Sequence, residues 1–230
     1  MNINSCVNSF HAKLFRPENG YDPVPLAHAK IYADKKWNNG IREDLLNQID
    51  TWVGGLRGKS VLDLGGGPGQ YSIAMAKMGA NVVWHDVSKF YMEYAKDKAK
   101  DNNVNIEFSL GYMDEAPAIL KNQYDFVLNR ICFNYGRSDS LFSQVIFDLI
   151  KSGGSCYIET NHSSWSKIKR LKNISSSFKI YLNNKGIIKI GHPFPRHGLV
   201  AELFNKKAIA RMNVDYFSLE EKDQIFFEKL

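Results

Sequence analysis

Cysteine is scarce, with three thiols, Cys6, Cys132 and Cys156, in 230 residues. An odd, widely scattered set, two of them inside apolar strand-like runs, excludes a disulfide framework and predicts buried reduced thiols. The start, Met1 to Pro17, carries His11, Lys13 and Arg16 without a continuous apolar run, so neither a signal peptide nor a membrane anchor is expected. A cytoplasmic location is the default that follows. No set of His, Asp and Glu residues has metal-ligand spacing, so no metal is expected. What remains, with 44% hydrophobic side chains, suits one large α/β domain with a sizeable core.

Acidic residues are missing from one segment. Between Asn161 and His197 there are eight basic residues and no Asp or Glu, whereas the rest of the chain has 22 basic and 24 acidic residues. The net charge of +6 therefore belongs to this segment. It predicts an anionic partner or a solvated lysine-rich surface.

Against these absences stands one dense motif. Val61-Leu62-Asp63-Leu64 reads as a buried parallel strand that delivers into Gly65-Gly66-Gly67-Pro68-Gly69 and then into a helix beginning near Tyr71. Glycines at that edge permit positive φ and let a ligand lie against bare backbone. The third glycine of the nicotinamide fingerprint is absent, Gln70 standing there, which argues against a dinucleotide dehydrogenase. A second strand, residues 81–86, ends in Asp86, 17 positions beyond Gly69, where such folds place an acid for ribose hydroxyls; Val87 follows, and Ser88 is a ready N-cap that leaves Asp86 to a ligand. A third strand leads into Gly111-Tyr112-Met113-Asp114. The fourth, Tyr124-Asp125-Phe126-Val127-Leu128-Asn129, opens onto Arg130, Asn134 and Tyr135, and Lys151-Ser152-Gly153-Gly154 reads as a helix stop before a fifth strand.

In this order the motifs resemble the class I S-adenosylmethionine-dependent methyltransferases of the small-molecule type, over roughly residues 40–160 and more loosely 198–230. The resemblance implies a Rossmann-like, seven-stranded, mostly parallel sheet with a reversed last strand and helices on both faces. It implies S-adenosylmethionine, with S-adenosylhomocysteine as product, held by Asp63, Gly65, Gly66, Gly67, Gly69, Tyr71, Asp86, Val87, Met113, Asp114, Asn129 and Arg130. Met113 would meet the adenine ring and Asp114 its amino group, or Asp114 would cap the next helix. Tyr32 and Trp37 either cover the cofactor or substrate or pack helices together.

One domain is expected: an arm and helical cap (1–55), a cofactor core (56–160), an inserted hairpin lid (161–197), and a C-terminal helix with two strands (198–230). Residues 1–24 read as a mobile or draped arm, and from about Leu26 to Val53 the pattern is helical. In the insertion, Phe178 to Leu182 and Ile187 to Ile190 flank a hairpin turn at Asn183-Asn184-Lys185-Gly186. The acceptor would be a small molecule with a reactive oxygen or nitrogen and a carboxylate or phosphate, met by Tyr32, Trp37, Asn134, Tyr135, His192 and Arg196. His162, His192, His197 and Tyr135 are positioned as bases, and we carry His162, His197 and Tyr135 as catalytic candidates. Two other classes stay open. One is an RNA or protein methyltransferase using the basic insertion, against which the missing Pro-Pro-aromatic edge after Asn129 speaks; the other is a cofactor-binding protein without methyl transfer. Self-association is also left open.

Overall fold

The computed structural model describes residues 10, 12–162, 178, 181–182, 189, 191–217 and 222–230. Two helices, α1 (Leu26–Asn39) and α2 (Glu43–Val53), precede β1 (Ser60–Leu64). Then come α3 (Gln70–Lys77), β2 (Asn81–Asp86), α4 (Lys89–Asp101), β3 (Ile106–Leu110), α5 (Ala116–Leu120), β4 (Tyr124–Arg130), α6 (Asp139–Asp148) and β5 (Ile150–Asn161). The described part of the chain finishes with α7 (Leu199–Asn205), β6 (Ile209–Phe217) and β7 (Lys222–Lys229).

The strands form one sheet in the order β3-β2-β1-β4-β5-β7-β6, parallel from β3 to β5, with β7 antiparallel to both of its neighbours. Alternation along each strand builds two cores. Val61, Phe126, Tyr157 and Phe226 turn to one face under α1 to α4. Leu62, Val127, Ile158 and Phe227 turn to the other, under α6 and α7, against Phe142, Ile146 and Phe204. Fully buried side chains of this size each contribute about 1.5–3 kcal/mol, so the sheet edge is held by a rigid body. Strand order reverses between β1 and β4, and such a switch point opens a crevice at the carboxyl ends of the strands.

Several local expectations change. Gly40, at positive φ (69°), splits the first helical stretch in two. The arm is tied down where it is described: the Tyr112 hydroxyl donates to Phe15 O (2.7 Å), Arg16 pairs with Glu115 (2.8 Å), and Asp22 accepts from Ser88 Oγ (2.9 Å) and Phe90 N (3.0 Å). Residues 151–154 loop out of β5 between the Tyr124–Ile150 and Phe126–Ser155 pairs, with Gly153 at φ 73°. Phe178, Tyr181 and Leu182 are helical where a strand was expected, and the turn at 183–186 with residues 187, 188 and 190 lies outside the described residues. Cys132 and Cys156 are free thiols. Among the described residues no helix is long and apolar enough to cross a membrane.

Candidate active site

The turn after β1 is braced from three sides. Gly65 N and Gly66 N both donate to His85 O on β2 (2.7 and 3.2 Å), Trp84 Nε1 donates to Gly67 O (3.0 Å), and Trp37 Nε1 of α1 donates to Pro68 O (2.9 Å). Gly69 closes the turn as the N-cap of α3. A Cβ on Gly66 would sit inside the indole of the fully buried Trp84, so only glycine fits there. Gly67 differs: it has positive φ (50°), and a Cβ would meet nothing within 4 Å. Its outer face is open space on a fixed backbone, as a ligand cradle requires.

Asp63 lies beneath the turn, 4% exposed, and accepts from Ser72 Oγ (2.5 Å). Burial raises its carboxyl to about 6. It therefore supports the turn from below through α3 and presents no surface to a ligand. Asp86 ends β2. Its Oδ2 accepts from Gly67 N (3.0 Å) and its Oδ1 from Ser88 N (2.9 Å). Ser88 does cap α4, accepting from Tyr91 N, but Asp86 is not left unoccupied as the sequence suggested. Each oxygen keeps a second lone pair, and the two N–H bonds aim the carboxylate across the turn. Val87 follows it at the partly exposed edge.

After β3, Asp114 does not cap the next helix. Both its oxygens accept from Arg137 N (3.2 and 3.1 Å), so it clasps the β3 and β4 loops together. Met113 reaches the end of β4, its Sδ 3.9 Å from Asn129 Nδ2 and beside Gly65.

Asn129 is fully buried and donates from Nδ2 to Leu64 O (2.8 Å), pinning β4 to the end of β1. Its Oδ1 is buried with no hydrogen-bond partner, an acceptor without a donor at the end of β4. Ile131 then takes positive φ (62°), costly for a β-branched residue at about 1–2 kcal/mol. That turn folds Cys132 back beneath Gly65, where burial pushes its thiol pKa up and keeps it protonated.

Arg130 lies over the Tyr71 ring (4.9 Å), and its Nε is 3.2 Å from Glu159 Oε2. Tyr71 also accepts from Arg42 N through its hydroxyl (3.1 Å). Glu159, fully buried near the end of β5, has Arg42 Nη1 at 3.7 Å and Lys222 Nζ at 3.9 Å, and accepts from Tyr157 OH (3.1 Å). Arg130, Arg42 and Lys222 thus stand around the Glu159 carboxylate, Arg42 also pairing with Asp44 (2.7 Å), with Lys36 nearby, its pKa lowered by burial and then by Arg130.

Beyond β4 the predicted acceptor residues separate into two groups. Asn134 Nδ2 donates to His192 O (3.2 Å) and the Tyr135 ring lies 4.9 Å from that of His192, so these three do come together. Tyr32 packs on Tyr91 of α4 (6.0 Å) and Trp37 donates to Pro68 O, so both stand next to the turn. Arg196 does not stand ready for an anion: its guanidinium forms a two-pronged pair with Glu202, just beyond the segment that lacks acids. Lys189 of that segment is likewise matched, at 2.6 Å from Asp139. The catalytic candidates His162 and His197 meet each other, ring centroids 4.5 Å apart, and both face Asp223. No spacing along the chain joins this trio; three strand and turn ends bring together residues whose donor atoms lie within 4.8 Å of one another.

Sequence reasoning missed Glu159, Arg42 and Asp223. The available signal was an acid closing an otherwise apolar run, Cys156-Tyr157-Ile158-Glu159, and a second acid, Asp223, immediately before Gln224-Ile225-Phe226-Phe227.

The family model described as a methyltransferase domain matches residues 56–211. The ubiquinone biosynthesis O-methyltransferase of Shewanella pealeana is 29% identical over 150 residues, 62% of this chain and 64% of that protein. Its counterpart from Acinetobacter baylyi is 30% identical over 148 residues, 60% and 62% of the two chains. The chain thus spans less than two thirds of the length of these relatives. Among solved structures, TehB from Haemophilus influenzae superposes with a TM-score of 0.61 at 15% identity, over 88% of this chain and 68% of that one. The magnesium protoporphyrin IX methyltransferase of Synechocystis with bound S-adenosylmethionine gives 0.57 at 15% identity, over 81% and 79%. A glycine turn at the β1 edge, an acid closing β2 and a sheet with one reversed strand, matched by a family model across most of its length, place this chain in the methyltransferase-domain family.

Proposed function

We propose that this chain transfers a methyl group from S-adenosylmethionine to an oxygen of a small-molecule acceptor that carries a carboxylate or phosphate. The observation that carries the cofactor part is the open face of Gly67 beside the Asp86 carboxylate. The residues present fit the group: Asp86 retains lone pairs for ribose hydroxyls, Met113 offers an apolar wall, and the orphaned Asn129 Oδ1 accepts from a ligand N–H. When bound, the sulfonium supplies an electrophilic methyl whose leaving group is neutral. The chain's own task is then to bind, align and shield: reaching atoms must be held at about 3–3.5 Å in line. Names of relatives support oxygen as the nucleophile.

The acceptor's anionic group is assigned to Arg130, whose guanidinium stays partly exposed over the Tyr71 ring at the β4 edge while sharing Glu159 with Arg42 and Lys222. Arg196 gives up this role to it. The test is turnover against salt with hydroxylated aromatic carboxylic acids as acceptors. Wild type is expected to show a shallow salt dependence, and Arg130→Met a rise in KM of roughly tenfold to a hundredfold, the loss of one charge-assisted hydrogen bond. An unchanged KM would remove the anionic acceptor, and turnover on RNA that falls steeply with salt would favour the nucleic-acid reading instead.

A further inference from the structure

We propose that His162, His197 and Asp223 form a binding site for one divalent transition-metal ion. The three come from separate segments that the fold brings to one point: the residue after β5, the turn before α7 and the second residue of β7. Antiparallel pairing of Thr160 with Asp223 sets that carboxylate beside the end of β5. One donor atom from each residue lies within 4.8 Å of the others, and among the described residues this is the one group of its kind. Asp223 Oδ1 is 2.8 Å from His197 Nδ1 and 3.8 Å from His162 Nε2. Metal bonds of about 2.0–2.2 Å to imidazole and carboxylate imply donor separations of about 3–3.6 Å, so small side-chain adjustments suffice.

The surroundings favour an ion over a chance meeting. Asp223 is fully buried, and its other oxygen is clamped by Gly198 N (2.7 Å), which fixes Oδ1 toward the two rings. His162 is 5% exposed, whereas the His197 side chain is 48% exposed, so the trio is buried on one side and open to solvent on the other. Two imidazoles and one carboxylate suit zinc, cobalt, nickel or ferrous iron, while magnesium and calcium prefer all-oxygen shells. Three protein ligands leave a position for an exogenous oxygen, the arrangement of catalytic rather than structural sites. In that state the ion takes the place of the direct contact between His197 Nδ1 and Asp223 Oδ1. The binding claim goes beyond the methyltransferase reading and does not depend on it. Only its use does: the site lies at the same edge of the sheet as Gly67, two strands from β4, where an acceptor oxygen is the natural fourth ligand.

The test uses the full chain stripped with a chelator and titrated with cobalt(II), following the visible d–d absorption, and then with zinc(II) by calorimetry. One cobalt ion per chain, displaced by zinc, is expected. Affinity should fall at least about tenfold in both His197→Gln and Asp223→Asn, and hold in His28→Ala, a histidine elsewhere on the surface. Circular dichroism melts identify any variant that fails to fold, and His197→Gln, half exposed, keeps the question answerable if Asp223→Asn does not fold. Absence of saturable cobalt binding, or binding unaffected by a folded His197→Gln variant, overturns the proposal and leaves a hydrogen-bonded His197–Asp223 pair without metal. S-adenosylhomocysteine binding, measured separately, reports on the methyltransferase reading alone.

Discussion

Gly67→Arg is expected to abolish S-adenosylmethionine binding while leaving the fold close to wild type. Its Cβ enters open space, and the added strain is that of an ordinary residue at φ 50°, about 1–2 kcal/mol. The guanidinium stem then occupies the volume a ligand needs, above the N–H that holds Asp86. Gly66→Val, one residue earlier, is expected to do the opposite. It drives a branched side chain into Trp84, a fully buried indole with its N–H on Gly67 O, and overpacking of this kind costs about 1–3 kcal/mol or more. Thermal melts with and without S-adenosylhomocysteine separate the two: a near-normal melting point without a ligand shift for Gly67→Arg, and a lowered one for Gly66→Val. A ligand shift preserved in Gly67→Arg would place the cofactor elsewhere.

Asp63→Asn is expected to stabilise the protein above neutral pH. Burial raises the Asp63 carboxyl from 3.8 to about 6, so the folded chain holds this proton more tightly than the unfolded chain. A raised carboxyl acts opposite to a salt-bridged one: stability falls as pH rises between about 4 and 6, and stays lower above that window. Two units correspond to at most about 3 kcal/mol at about 1.4 kcal/mol each. Asparagine keeps an acceptor for the Ser72 hydroxyl and removes the ionisation. The difference in melting point between variant and wild type should therefore open between about pH 4 and 6 and persist at about pH 8. A difference independent of pH would show that Asp63 titrates normally in the folded chain.

How far the site was readable depends on how local each cause is. The β1 turn was legible because strand patterning and positive φ are written in consecutive residues, and Ser88 was legible as a cap because a cap is a short-range bond to Tyr91 N. The seven-stranded, mostly parallel sheet with a reversed last strand came from the resemblance of the ordered motifs to a known family, and the sheet has that form. Asp86 was placed correctly at the β2 edge, yet its bond to Gly67 N depends on β1 and β2 lying side by side. Arg196 was misread because charge was counted within a segment, while its partner Glu202 stands one turn into the next helix. Glu159 with Arg42 and Lys222, and Asp223 with two histidines, unite residues from opposite ends of the chain, and no spacing rule reaches them. Tyr181 and Leu182 are helical although β-branched and aromatic residues around them favour a strand, an instance of context overriding propensity.

The central claim, a methyl-donor cofactor held over Gly67 with Asp86 beside it, is tested most directly by titration calorimetry of S-adenosylmethionine and S-adenosylhomocysteine into wild type and Asp86→Ala. The account predicts one site per chain for both ligands in wild type, an affinity lowered roughly tenfold to a hundredfold in Asp86→Ala through loss of charge-assisted bonds, and far weaker binding of NAD. Absence of S-adenosylmethionine binding to wild type, or equal affinity in the variant, would contradict it.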